Sequence, residues 1–221
     1  SPKQQKVFAP GLRLRTFLSV LFHAGHEVHI AEALMGTADH DAVTVPDQAA
    51  SHHIVPLDPL QAAHRIDRLV EEYEPEAILA LTELMGLAVT KSHWDGPLYV
   101  DYNGHPMAER QQQAAVHESN GGLMAQWLGV LPVLLRADRF GACSEAQRLA
   151  LIGELGSAGR VNFETCGHNL VDVLRPPCPF SEPFVRSPSP FLRGEKVPEN
   201  AKIILYTGGY NTWLDETLLF A

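Results

Sequence analysis

Apolar positions along this 221-residue chain switch repeatedly between a helical period and a strand-like one. Leu12–Ala24 carries Leu14, Phe17, Leu18, Leu21 and Phe22 as a helical stripe, Gly25 ends it, and Glu27–Ala31 alternates through Val28 and Ile30 as a strand. After a polar loop at Gly36–Gln48, His52–Leu57 reads as a strand, and Pro59–Tyr73 as a helix with Leu60, Ala63, Ile66, Leu69 and Val70 on one face. Pro75 breaks that helix. Ala77–Leu81 is wholly apolar, the pattern of a central parallel strand covered on both faces. Thr82–His93 follows as a helix with Thr82 as its cap, then a strand at Leu98–Asp101 and helices at Met107–His117 and Gly121–Arg136. Arg139–Cys143 is a strand, Ser144–Leu155 a helix capped by Ser144 with Glu145 in its first turn, and His168–Leu174 the last strand of the series. Regular alternation of strand and helix predicts an α/β fold, a Rossmann-like three-layer domain with a mainly parallel sheet.

The pattern stops at residue 175. Between Pro176 and Pro198 lie seven of the sixteen prolines with almost no apolar periodicity, so residues 176–200 read as an interdomain linker. Residues 201–221 restart the alternation: Ile203–Tyr206 as a strand, Thr207-Gly208-Gly209 as a turn, then a helix capped by Asn211 or Thr212. A strand, a glycine turn and a helix N-terminus together present free N–H groups to a phosphate, so Gly208 and Gly209 are donor-diphosphate candidates; the competing reading is an ordinary tight turn. This unit is expected to open a second domain that is cut off. At the other end, a strand should precede Pro10-Gly11, and it lies either upstream of Ser1 or in a poor version at Ser1–Phe8.

Composition narrows the function classes. The net charge of −9, from 17 basic and 26 acidic side chains, argues against a nucleic-acid partner, whose phosphates must be neutralised. Before Glu27 the charged residues are Lys3, Lys6, Arg13 and Arg15, all positive, which suggests either a peripheral membrane or anion contact or a solvated helix end. No run approaches the ~18 apolar residues of a bilayer span, and three cysteines without CxxC spacing fit a reducing compartment, so a cytoplasmic place is expected, with the inner membrane face as its possible edge. Eleven histidines raise a metal reading, but His23, His26 and His29 are separated by Gly25, His52 and His53 point to opposite sides of a strand, and no HExxH occurs. No metal and no cofactor are expected.

Parallel sheets bind ligands outside the carboxyl ends of their strands. The loops there are Pro10-Gly11, Thr82-Glu83, Asp101–His105 and Ser144-Glu145. Asp101 and His105 form the acid/base candidate, because an imidazole titrates near neutrality and a carboxylate can orient it. Against this stand a loop histidine beside Pro106 and an aspartate that only positions a loop. Glu83, Asn103, Ser144 and Glu145 are cleft candidates; capping is the plain alternative for Glu83 and Ser144.

PGLRLRTFLSVLFHAGHEVHI, PLYVDYNGHPMAE, DRFGACSEAQRLALIGEL, LVDVLRPP and ILYTGGYNTWLDETLLFA, in that order, resemble the N-terminal half of a GT-B glycosyltransferase, nearest to family 4. The resemblance implies two Rossmann-like domains, a nucleotide-sugar donor held mainly by the C-terminal one, and a sugar, lipid-linked or small-molecule acceptor held by the N-terminal one. It places Gly208 and Gly209 at the donor diphosphate, Gly11 across the cleft from it, and His105 in the acceptor loop. The E-x7-E element of many retaining members is missing, as is most of a donor domain, so the chain alone is expected to be inactive. A sugar-nucleotide epimerase of the same architecture and a non-catalytic α/β binding module are the alternatives.

Overall fold

Six helices and six strands alternate through the computed structural model, which describes residues 9–33, 47–175, 194 and 196–202. They are α1 (Ala9–His23), β1 (His29–Ala33), β2 (Ser51–Val55), α2 (Pro59–Tyr73), β3 (Ile78–Leu81), α3 (Glu83–Lys91), β4 (Leu98–Tyr102), α4 (Pro106–Val116), α5 (Leu123–Arg136), β5 (Arg139–Ala142), α6 (Glu145–Ser157) and β6 (Val171–Val173). The fold is α/β, Rossmann-like, with parallel pairing throughout the described strands. The chain divides into two compact units, 1–176 and 177–221. Of the second, two turns are described, where the Gly194 N–H donates to the Val197 carbonyl and the Ala201 N–H to the Pro198 carbonyl.

Local chemistry sets the boundaries. Pro59 opens α2 where its missing N–H costs nothing, and the Asp58 carboxylate accepts the Gln61 N–H at 3.0 Å. The Ser144 hydroxyl accepts the Gln147 N–H at 3.2 Å and caps α6 as its sequence position predicts. Thr82 departs from expectation. It occupies the cap position of α3 but makes no side-chain cap bond, and its backbone lies at φ 80°. A β-branched residue there is strained.

Strand order in the larger sheet is β3-β4-β5-β6, while β1 and β2 form a separate pair. Among the described residues β3 therefore ends the four-stranded sheet, whereas its apolar run suggested a central place; β4 and β5 are the interior strands. Adjacent β4 residues face opposite layers. Val100 and Tyr102 look toward α3, α5 and α6 in a core with Val130, Val133, Phe140, Leu151 and Leu155. Gly86 makes this packing possible, since a Cβ there would come within 3.0 Å of both Val100 and Val133. Tyr99 and Asp101 look the other way, toward Phe17 and Arg13 of α1. The carboxyl ends of β3, β4 and β5 are level, with Leu81 opposite Asp101 and Tyr102 opposite Ala142.

Candidate functional site

Two polar clusters meet at the end of β4, one on each face. On the α1 side Asp101 is fully buried and Arg13 is 3% exposed. The guanidinium donates through Nε and Nη2 to the two carboxylate oxygens, both at 2.8 Å, and through Nη1 to the Arg175 carbonyl at 3.2 Å. The hydrogen bond to Asp101 raises the guanidinium pKa further, against the opposing pull of burial. Gly141 on β5 leaves room for the pair, because a Cβ there would overlap Asp101 Oδ1. Beside it the Tyr99 hydroxyl is buried without a partner.

The other cluster surrounds Tyr102, which is 1% exposed and whose hydroxyl also lacks a partner. His105 caps α4: its Nδ1 accepts the Ala108 N–H at 3.3 Å, so the neutral ring carries its proton on Nε2, which faces Glu154 Oε1 at 3.5 Å. Glu154 Oε2 is buried and unpartnered. Burial raises the Glu154 carboxyl above its usual range, with His105 opposing. Glu109, on the first turn of α4, lies over Gly104, where a Cβ would overlap its Oε1; burial and the Glu83 charge raise its carboxyl too. Glu83 enters from the start of α3 and accepts from Gln126 at 3.4 Å. Gln147 fixes the loop by donating to the Tyr102 and Gly104 carbonyls at 3.0 and 2.8 Å.

The structure thus does not join Asp101 to His105. Both Asp101 oxygens belong to Arg13, and the histidine's carboxylate is Glu154, one helix further along the chain. Arg13, counted by charge toward a surface contact, is inside the ion pair; Arg15 is exposed. Gly11 is buried within α1, inside the helix and not in a loop ahead of it. Asn103 is half-buried and its carbonyl accepts the Cys143 thiol at 3.3 Å; burial raises that thiol's pKa. Ser144 is a cap. Glu145 is exposed and tied to Arg148, whose hydrogen bond lowers its carboxyl. Gly208 and Gly209 lie outside the described residues.

Sequence reasoning passed over Glu154, Glu109 and the partner of Arg13. A signal existed for two of them. Gln147, Leu151 and Leu155 are the buried positions of α6, and Glu154 falls on the same stripe. Arg13 stands four residues before Phe17 on the inner edge of α1 and lies 5.4 Å from its ring centre.

His29, His52, His53 and His93 are engaged in ordinary contacts. His29 stacks on Tyr73 at 3.9 Å and reaches Ser51, and His52 pairs with Glu32. Among the described residues no group of three or more His, Cys, Asp or Glu could hold a metal ion, and no helix is long and apolar enough to cross a membrane. Comparison with known proteins returns no family model, no curated protein and no solved structure that matches this chain.

Proposed function

We propose that this chain supplies the acceptor-side domain of a nucleotide-sugar-dependent glycosyltransferase. The observation that carries the reading is the convergence of Glu83, His105, Glu109 and Glu154 at the carboxyl end of β3 and β4, where a parallel sheet receives its ligands. The motif resemblance, with its strand, acceptor loop and S-E-x-Q-R helix, falls on these same elements.

In this reading an acceptor hydroxyl is deprotonated beside the His105–Glu154 pair while the sugar leaves its diphosphate. Glu154 is the proton acceptor in this reading, because its Oε2 is free whereas both histidine nitrogens are engaged. Asp101 contributes by holding α1 against β4 and does not handle protons. The donor diphosphate would be held at a glycine turn such as Gly208-Gly209 and by cationic groups of the donor-binding domain.

The test is nucleoside diphosphate release by the full-length protein from a panel of nucleotide sugars, with and without candidate acceptors. Acceptor-dependent release that falls at least tenfold in Glu154→Gln supports the reading. Donor binding without release in any acceptor's presence would replace it with an epimerase or a binding module.

A further inference from the structure

The loop between α6 and β6 carries the most exposed of the large apolar side chains among the described residues. Phe163 is 87% exposed and Val161 beside it 53%. The loop that holds them is tied down. Asn162 Oδ1 accepts the Glu164 and Thr165 N–H groups at 2.9 and 3.2 Å, and its amide nitrogen donates to the Gly159 carbonyl at 2.9 Å. The Thr165 hydroxyl donates to the Arg160 carbonyl at 2.6 Å. The Arg160 guanidinium donates in turn to the carbonyls of Leu134, Leu135 and Ala137, which anchors the loop to the end of α5. A phenyl ring is therefore held out in water on a backbone whose bonds are already made, so burying it costs little further ordering.

Beside the ring lies a hollow that could receive one. It measures about 380 Å³ and opens between α6 and this loop, lined by Ile152, Val161 and Leu170 together with Arg148, Cys166 and His168. Ile152 and Leu170 pack against the main core, so the apolar part of the hollow is continuous with it. Phe163 takes no part in the lining, although Asn162 and Thr165 on either side of it do. An anchor and a receptor within one short segment make a face complementary to itself. In a two-fold pair the same patch is presented by both copies, so each contact occurs twice. A foreign partner must bring both a receptor for Phe163 and a filler for the hollow, whereas a second copy brings both by symmetry. Charge agrees with this: Arg148 borders the hollow and the exposed Glu164 adjoins the ring, so opposite signs meet across the axis.

We propose that this face is a homodimer contact, in which Phe163 of each copy enters the hollow lined by Ile152, Val161 and Leu170 of the other. Two aromatic anchors bury roughly 300–500 Å² of the ~1,200 Å² that a stable pair needs, and the rim supplies the rest. The dimer therefore stands at the weak end of specific association and depends on concentration. The loop leads into the amino end of β6, whereas His105 and Glu154 meet beyond the carboxyl end of β4. With the four strands parallel, the contact lies at the opposite end of the sheet and leaves the candidate site open.

Sedimentation velocity on the full-length protein between about 1 and 200 μM tests this, since a weak pair dissociates within that range. The wild type is expected to pass from monomer to dimer as concentration rises. Phe163→Ser should weaken association by about tenfold or more. The ring touches little of its own chain, so the same variant should keep its thermal midpoint within about 2 °C of the wild type. Cys166→Trp, which fills the hollow and leaves Phe163 in place, should weaken association as much. A monomer at every concentration, or a dimer that either variant leaves intact, would overturn the proposal.

Discussion

Asp101 and Tyr102 are neighbours on β4, yet the two sides of the strand they serve are built on opposite terms. Toward α1 a buried charge meets its complement in a two-pronged ion pair, with a third guanidinium nitrogen spent on the Arg175 carbonyl. The Tyr99 hydroxyl beside that pair is unpartnered, but no charged oxygen is; toward α3, α4 and α6 both the Tyr102 hydroxyl and a carboxylate oxygen, Glu154 Oε2, are left open. A closed pair holds elements together, whereas buried polar groups left without partners cost stability. The difference separates an aspartate whose charge is fully paired from a neighbouring cluster whose polar groups are not.

The closed side should break hardest. Arg13→Ala leaves a fully buried carboxylate unpaired and is expected to cost about 3–5 kcal/mol, read by urea denaturation. Arg13→Met with Asp101→Leu removes both charges and should recover most of that loss. If the single substitution cost under about 1 kcal/mol, Asp101 would be solvated and the contrast between the sides would fail. Gly141→Ala tests the same pair from below. Its new methyl would overlap Asp101 Oδ1, which Arg13 prevents from moving away, so a loss of about 1–3 kcal/mol is expected.

Much of this frame was legible in the sequence. Period and punctuation gave the element series between Leu12 and Leu174, and Ser144 before Glu145 announced its cap. Pairing across elements was less accessible, because periodicity reports which way a side chain faces and not what it meets. Asp101 and His105 are four residues apart, and proximity in the chain suggested a couple. The strand end and the α4 cap turn them to different partners, 88 residues away in Arg13 and on α6 in Glu154. Charge counting misled for the same reason at Arg13, where a basic residue on a helix looked like surface. The strain at Thr82 was equally hidden, since threonine is a common cap and only the backbone angle shows that it does not cap here.

The open side should respond with the opposite sign. Thr82→Gly relieves a positive φ and is expected to stabilise by about 1 kcal/mol in thermal denaturation. Tyr102→Phe deletes an unpartnered hydroxyl and should be neutral or stabilising by up to about 1 kcal/mol in thermal denaturation. A loss as large as that of Arg13→Ala would show that the phenol is bonded and that this side is closed as well.

Glu154→Gln gives the smallest effect and the sharpest one, because it is read as a trend with pH. The folded protein holds this carboxyl above its usual pKa of about 4.3, mainly through burial. An acid raised in this way resists ionisation when folded and accepts it when unfolded. Its contribution to stability is therefore most favourable below the unfolded value and is lost as pH rises through the folded one. Glutamine has no such term. The variant should match the wild type near pH 4 and melt at a higher temperature near pH 7, with the gap opening across the interval between the two pKa values. A difference in midpoint that did not vary between pH 4 and pH 7 would mean that Glu154 ionises as readily in the fold as in water. The two sides of β4 would then differ in geometry alone.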